Sequence, residues 1–187
     1  MRIIAGEYKG RNLKSPPSLN VRPTSDRLRE TLFNVIAPII EGARFLDLCA
    51  GSGAVGIEAL SRGASHVMFV DRSRRMCKLI EANVQLCRIP EERWEIYCSE
   101  ANEFLRSEET AWDIVFFDPP YKDDYVKTLG LLGNNSLVIA EHHHKNQLPE
   151  TIGNLHRTRI LKQGDSSLTF YKAADKRGSK SGFHLCS

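Results

Sequence analysis

The stretch FFDPPYKDD, residues 116–124, ends an apolar run with an acid, two prolines and an aromatic ring. Tandem proline continues neither a strand nor a helix, because each ring lacks an N–H and holds φ at about −65°. The corner fixes the Asp118 carboxylate, the Pro119 carbonyl, Pro120 and the Tyr121 ring. The two oxygens can accept hydrogen bonds from a planar amine, and the ring can stack on a base. The pattern predicts a clamp for an amine-bearing nucleobase; the alternative is a plain turn that ends a strand.

A second motif, DLCAGSGAVGIE at residues 47–58, contains Gly51-x-Gly53-x-x-Gly56. It follows an apolar run typical of a strand and opens a helical pattern. Small residues at such a place let the backbone turn tightly beside a ligand at the helix N-terminus. Asp71 ends the next apolar run, twenty residues after Gly51, where a ribose-binding carboxylate is expected. The motif therefore predicts a site for a nucleoside-containing cofactor.

Asp47 directly precedes the glycine turn and favours one class of cofactor. A NAD site would place the glycines first and leave Asp47 unexplained, whereas an acid at this position suits a ligand with positive charge. S-adenosylmethionine carries an ammonium and a sulfonium, so we predict this cofactor. The structural alternative is that Asp47 is a cap or loop acid, and a similar alternative holds for Asp71.

The hydrophobic periodicity places both motifs at one edge of a sheet. Short apolar runs alternate with helical patterns after Gly42, which predicts a parallel, doubly wound α/β sheet. In such sheets the ligand lies over the carboxyl ends of the strands, so the two motifs should face one crevice. The predicted strands are 44–49, 66–71, 94–99, 112–118 and 135–142; the predicted helices are 53–63, 73–87, 101–107 and 123–132. A closing antiparallel hairpin over 155–173 turns at Gly164–Asp165.

The N-terminal part predicts a small extension of this domain. Segments 2–6 and 10–16 are typical of a β-hairpin. A helix should follow, with Thr24 or Ser25 as N-cap and with apolar residues at helical spacing. The predicted organisation is an extension over 1–40, the α/β domain over 41–173 and a mobile tail over 174–187.

Charge and composition restrict the function classes. Hydrophobic residues make up 41% and charged residues 26%, and no apolar run approaches the ~20 residues that span a bilayer. The net charge is +3, but residues 1–34 carry seven Lys/Arg against three acids, and residues 156–180 carry seven against two. Basic ends around an acidic middle suggest a polyanion partner; the alternative is ordinary solvated surface charge.

Targeting and metal signals are weak. The first residues hold no long apolar stretch and no small-residue cleavage site, so we expect no signal peptide. Five cysteines without a CxxC pair indicate reduced thiols in a cytoplasmic protein. His142, His143 and His144 are consecutive, cannot comfortably face one ion together and accompany no carboxylate pattern, so we expect a polar loop and no metal.

The two motifs together resemble the amino-methyltransferases of the S-adenosylmethionine-dependent, Rossmann-like class I fold. RIIAGEYKGRNLKSP followed by RPTSDRLRETLFNVI is similar to the RsmD family, bacterial methyltransferases of the N2 amine of a guanine in 16S ribosomal RNA. This resemblance runs from Arg2 to about Tyr171. DPPY alone is shared with DNA adenine methyltransferases.

The resemblance implies roles for individual residues. Asp47, Gly51 and Gly53 would line the methionine side of the cofactor, Asp71 would hold the ribose hydroxyls, Glu100 and Ala101 would lie by the adenine, and Asp118, Pro119, Pro120 and Tyr121 would hold the flipped guanine. RNA phosphates would be contacted by Arg2, Lys9, Arg11, Lys14, Arg22, Arg27 and Arg29. The alternative for the helix group is that Arg22 or Arg27 braces the helix. Two departures exist: residues 122–135 are short for the family, and Glu100 stands where an Asp is expected.

We therefore predict an rRNA (guanine-N2-)-methyltransferase that binds S-adenosylmethionine and releases S-adenosylhomocysteine without a metal. Its partner would be 16S ribosomal RNA in a small-subunit assembly particle, and the protein would be a monomer with no membrane contact. Three rivals stay open. These are a DNA adenine-N6 methyltransferase, which usually carries a separate target-recognition region; a protein glutamine methyltransferase, a group that resembles NPPY; and a non-catalytic RNA-binding module.

Overall fold

The computed structural model describes residues 1–16, 25–120 and 124–174. They contain β1 (Arg44–Leu48), β2 (His66–Asp71), β3 (Trp94–Cys98), β4 (Ile114–Phe117), β5 (Leu137–His143), β6 (Thr151–Ile152), β7 (Leu155–Gln163) and β8 (Ser166–Ala173). The strands form one sheet in the order β3-β2-β1-β4-β5-β8-β7-β6. The first five strands are parallel, and β8, β7 and β6 pair antiparallel. The predicted parallel sheet with a closing hairpin is confirmed.

Five α-helices connect or cover these strands: α1 (Asp26–Ile36), α2 (Ala54–Ser61), α3 (Arg74–Leu86), α4 (Ala101–Ser107) and α5 (Tyr125–Gly130). Side-chain caps set several of their starts. The Ser25 hydroxyl accepts from the Leu28 N–H at 3.2 Å, and the Asp124 carboxylate accepts from the Lys127 N–H at 3.1 Å. Ser25, one of the two predicted caps, therefore begins α1.

Apolar side chains fill both faces of the sheet. Phe45 and Phe116 belong to a core that includes Phe33 of α1 and residues of α2 and α3. Their neighbours on the same strands, Leu46 and Phe117, belong to a second core with residues of α4 and α5. Successive residues of a strand point to opposite faces, so these continuous apolar runs require a helical layer on each side. This is the doubly wound arrangement.

Residues 1–16, the N-terminal strap, lie against α2. The predicted hairpin is reduced to one antiparallel bridge between Arg2 and Asn12 and its flanking backbone bonds, because bends and turns occupy residues 5–10. The buried Glu58 carboxylate of α2 accepts from the Ile4 N–H at 2.8 Å and the Ala5 N–H at 3.0 Å. Ile3, Tyr8 and Leu13 of the strap also belong to the first core, so the strap packs as part of the α/β domain.

Gly6 of the strap lies directly against the backbone at the end of α2. Its φ is +85°, and a Cβ built there would lie 1.8 Å from the Ser61 carbonyl oxygen. We expect Gly6→Ala to lower the free energy of unfolding by about 3 kcal/mol through this contact and the positive φ. Gly10→Ala is the matched control, since its φ is +82° with nothing within 4 Å, and should cost about 1 kcal/mol. Chemical denaturation measures both; equal losses would contradict a rigid strap–helix contact.

Some boundaries differ from the sequence expectations. The fourth parallel strand is Ile114–Phe117 instead of 112–118, and the short strand β6 was not predicted. His142 and His143 belong to β5, so the expected polar loop is wrong for these two residues. No helix among the described residues is long and apolar enough to cross a bilayer.

Candidate active site

A cavity of about 800 Å³ opens at the carboxyl edge of the parallel strands. The loops after β1, β2 and β4 and the start of α4 line it. Met1 and Pro16 of the N-terminal strap also contribute to its wall. Both sequence motifs therefore face one crevice, as expected for an open α/β sheet.

Four acids line this cavity from four neighbouring strands: Asp71 at the end of β2, Asp47 in β1, Asp118 after β4 and Glu141 in β5. The ladder between β1 and β4 continues through the Asp118 N–H, which donates to the Leu48 carbonyl at 3.3 Å. Asp47 pairs with Phe116 in the β1–β4 ladder, so Asp47 lies two residues farther than Asp118 from the carboxyl edge of the sheet. The residues two places before each acid all belong to the first core, and the four acids therefore face the same side of the sheet.

Asp71 holds the glycine loop from the next strand. One oxygen of its carboxylate accepts from the Gly51 N–H at 2.9 Å, and the other accepts from the Ser73 N–H at 2.8 Å. Gly51 has φ +57°, and a Cβ built there would meet nothing within 4 Å, so its open side faces the cavity. Each carboxylate oxygen can accept a further hydrogen bond, for example from a hydroxyl.

The other two glycines of the motif, Gly53 and Gly56, are needed for the path and packing of the backbone. Gly53, with φ +77°, is buried, and a Cβ there would lie 3.1 Å from Ile80. A Cβ on Gly56 would lie 2.3 Å from the Phe69 ring, so only glycine lets α2 lie this close to β2. Gly53 therefore supports the loop on the side away from the cavity, whereas the resemblance implied that it lines the methionine side of the cofactor.

Asp47 is buried beneath the loop, where its carboxylate accepts from the Gly56 N–H at 2.9 Å. Burial raises the pKa of Asp47 to about 8; the hydrogen bond from Gly56 lowers it, and the neighbouring Asp71 charge raises it. The carboxyl group is thus mostly protonated at neutral pH without a ligand. A cation that binds beside it would stabilise the charged form.

This burial predicts a proton linkage. A cationic ligand such as S-adenosylmethionine should lower the pKa of Asp47, so its binding at pH 7 should release up to about one proton, and its affinity should rise as pH increases toward 8. Titration calorimetry in buffers of different ionisation enthalpy measures the release. Asp47→Asn should abolish it, whereas a pH-independent affinity of the unmodified protein would contradict the linkage.

The proline corner lies beside these groups. Asp118, Pro119 and Pro120 line the cavity, and Pro119 is buried. The Pro119 carbonyl accepts from the Tyr125 hydroxyl at 3.5 Å, and the Tyr125 ring packs edge-on against Phe117 with centroids 5.7 Å apart. Sequence reasoning missed Tyr125, which braces the corner from α5. Tyr121 lies outside the described residues.

Glu100 and Ala101, predicted to lie by the adenine, line the opposite end of the cavity at the start of α4. The Glu100 carboxylate lies 3.6 Å from the Arg72 guanidinium, and both side chains are more than half exposed. An exposed pair of this kind contributes little to stability. The chain just before these residues lies beside Asp71, because the Ser99 N–H donates to the Asp71 carbonyl at 3.2 Å.

Comparison with known proteins covers most of the chain. The family model described as Conserved hypothetical protein 95 matches residues 1–172. Over 172 residues the chain is 38% identical to Ribosomal RNA small subunit methyltransferase D of Escherichia coli K12, covering 87% of this chain and 86% of that protein. The chain belongs to the RsmD family.

Two further relatives agree with this membership. YlbH of Bacillus subtilis is 38% identical over 188 residues, which cover 95% of this chain and all of YlbH. The solved structure of yhhF from Escherichia coli superposes with a TM-score of 0.82 at 35% identity, covering 92% of this chain and 97% of that chain. The predicted Rossmann-like class I methyltransferase fold is confirmed.

The predicted RNA contacts of this RsmD-family chain divide into three groups. Exposed residues are Arg2, Lys9, Arg11, Lys14 and Arg27, whereas Arg22 lies outside the described residues. Arg29 is fully buried, and its guanidinium donates to the Arg2 carbonyl at 2.6 Å and to Asp26 at 2.9 Å. The prediction that Arg29 contacts RNA is wrong, because the side chain instead joins α1 to the strap.

Arg11 is exposed yet braced. Its guanidinium donates to the Cys87 carbonyl at the end of α3 and lies 5.0 Å from the centroid of the Tyr8 ring.

Sequence reasoning also missed Asn83, whose side chain hydrogen-bonds the Lys14 backbone at 2.8 and 3.1 Å and the Ser52 carbonyl at 2.9 Å. A buried polar residue on the apolar face of α3 was the available signal.

The histidine run has a neighbour that the sequence does not reveal. Asp165, in the turn between β7 and β8, brings a carboxylate close to His143 and His144, and ligand atoms of the three lie within 4.8 Å of one another. The sequence shows no carboxylate pattern around these histidines, but the fold brings the Asp165 carboxylate to two of them. The expected absence of a metal stays a prediction.

Proposed function

We propose that this chain transfers a methyl group from S-adenosylmethionine to the exocyclic N2 amine of a guanine in 16S ribosomal RNA. The observation that carries the proposal is the placement of Asp118 and the Pro119 carbonyl in the same cavity as Asp47, Asp71 and the glycine loop. The name of the Escherichia coli relative supports small-subunit ribosomal RNA as the substrate.

The residues of the cavity fit the cofactor. Asp71 offers acceptors for the ribose hydroxyls, the open side of Gly51 admits a ligand close to the backbone, and Asp47 offers negative charge to an ammonium or sulfonium. Bound there, S-adenosylmethionine would supply an electrophilic methyl group. Glu100 and Ala101 would flank its adenine.

Asp118 and the Pro119 carbonyl would act on the amine. The lone pair of an exocyclic amine is delocalised into the base, which makes the nitrogen a poor nucleophile. Two acceptors that hold its hydrogens would favour pyramidalisation and point the lone pair at the methyl carbon. The target base must leave its stack to reach this cavity, and Tyr121 would stack on it.

The exposed basic residues of the strap and of α1 would hold the RNA. Arg2, Lys9, Arg11, Lys14 and Arg27 could contact phosphates, which position a substrate without reading its sequence. Residues 1–40 would thus serve as the RNA-contacting extension of the methyltransferase domain at 41–173.

Tritiated methyl transfer onto small-subunit particles, naked 16S ribosomal RNA and duplex DNA tests the proposal. We expect label in ribosomal RNA, and mapping of the labelled nucleotide should show N2-methylguanine. Labelled N6-methyladenine in duplex DNA without labelled ribosomal RNA would overturn the proposal. Calorimetry with S-adenosylmethionine separates the non-catalytic alternative, which would show no binding at millimolar concentration.

A further inference from the structure

Glu141 is the acid of the cavity to which the sequence motifs assign no task. It lies near the carboxyl end of β5, is 6% exposed and lines the cavity together with Asp118. Its segment, SLVIAEH, is an apolar strand with an acid near its carboxyl end, and acids lie near or just after the ends of three other strands at Asp47, Asp71 and Asp118. The acid therefore repeats a pattern whose other members face the proposed ligands.

The register places Glu141 beside Asp118. Phe117 pairs with Ala140 in the parallel ladder between β4 and β5, so the next positions along the two strands are Asp118 and Glu141. Adjacent strands lie about 4.8 Å apart. Along the sheet, Glu141 is thus one strand farther than Asp118 from β1 and its glycine loop.

The hairpin that closes the sheet orients this carboxylate. The Ser166 hydroxyl at the start of β8 donates to Glu141 Oε1 at 3.2 Å, and both residues are buried. Ser166 is positioned by its pairing with His143. A carboxylate has roughly four acceptor sites and no donor, so it can accept further hydrogen bonds beside this one.

We infer that Glu141 recognises the Watson–Crick edge of the target base by accepting its N1–H; this inference rests on the proposed function. Guanine presents N1–H directly beside its 2-amino group. The inference requires the base to lie with its amine at Asp118 and its N1–H toward the next strand, where Glu141 lies. Adenine presents a lone pair at N1, which would face a buried acceptor without a hydrogen between them, an unfavourable arrangement. Glu141 would therefore select guanine, which the proline corner alone cannot do.

Base replacement at the target nucleotide tests this role. The substrates are small-subunit particles assembled with 16S ribosomal RNA that carries guanine or 2-aminopurine at the mapped position. 2-Aminopurine keeps the reacting amine but has a lone pair at N1. We expect the unmodified protein to prefer guanine by about 10- to 100-fold in kcat/KM. Glu141→Gln should reduce this preference to about threefold or less, because an amide can donate to the N1 of 2-aminopurine.

Two controls accompany the test. Glu150→Gln changes a carboxyl group that is 85% exposed and paired with Arg157, and it should keep the full preference. Ser166→Ala leaves the carboxylate in place but removes the hydrogen bond that Ser166 donates, so it should lower the preference by a smaller factor in the same direction. The affinity for S-adenosylmethionine should be unchanged in all three variants.

The outcomes separate the two proposals. An unchanged preference in Glu141→Gln, with guanine still methylated, would show that Glu141 does not read the base and would overturn the inference. A weaker affinity for S-adenosylmethionine in that variant would place Glu141 in the cofactor site and overturn it too. If the unmodified protein methylates neither substrate, the proposed function itself fails.

Discussion

Asp118→Ala is expected to lower the rate of methyl transfer on the order of 10³-fold while leaving the affinity for S-adenosylmethionine nearly unchanged. The carboxylate lies at the end of β4, one strand from the glycine loop, so its loss should affect the amine and spare the cofactor. Single-turnover methylation of the RNA and titration calorimetry with S-adenosylmethionine measure the two quantities separately.

Two variants control this experiment. Asp118→Asn keeps one acceptor oxygen and the shape of the side chain, so its rate should fall less than that of Asp118→Ala. Asp124→Ala removes another acid that lines the cavity, but this acid caps α5, and its loss should cost about 1 kcal/mol of stability with little change in rate. A loss of cofactor affinity in Asp118→Ala that matches the loss of rate would place Asp118 at the cofactor instead of the amine.

Asp71→Ala should do the reverse and raise the dissociation constant of S-adenosylmethionine by about 100-fold, with a much smaller effect on the rate at saturation. The carboxylate accepts from the Gly51 and Ser73 backbone at 2.9 and 2.8 Å, and charge-assisted hydrogen bonds of this kind contribute about 1.5–3 kcal/mol. Its removal loosens the loop and takes away the proposed acceptors of the ribose hydroxyls.

Adenosine and 2′-deoxyadenosine, used as competing ligands, distinguish these two effects. The unmodified protein should prefer adenosine, and Asp71→Ala should lose that preference if the carboxylate contacts the hydroxyl. Glu150→Ala is the comparison variant, because its exposed carboxylate pairs with Arg157 and does not line the cavity, so the affinity should not change. Unchanged cofactor affinity in Asp71→Ala would remove Asp71 from the ribose role.

Much of the fold could be predicted because the informative signals are local. Apolar runs of strand length alternate with helical periodicity, and an acid lies near or just after the carboxyl end of three of them, at Asp47, Asp71 and Asp118. The parallel order of strands then requires these ends to meet at one edge. Glu141 carried the same signal and was overlooked because no motif surrounds it.

The helix α1 shows where local patterns stop being informative. Arg27 and Arg29 are two residues apart and were assigned to RNA together, yet Arg27 is exposed and Arg29 is fully buried. Their fates differ because a helix turns by about 100° per residue, so residues two apart point in different directions. Which direction faces the strap depends on how α1 packs.

The α/β class, the strand ends that carry the acids and the family could all be inferred from local sequence patterns. The polar groups that hold the chain together could be identified only from the packed fold. Glu58 hydrogen-bonds the strap, Asn83 hydrogen-bonds Lys14 and Ser52, and Arg29 hydrogen-bonds the Arg2 carbonyl. The fold also brought Asp165 to the histidine run and Glu141 beside Asp118. Such contacts join residues far apart in the chain, and they exist only after helices and strands have packed, because a buried polar group takes whichever partner the packing brings within hydrogen-bond distance.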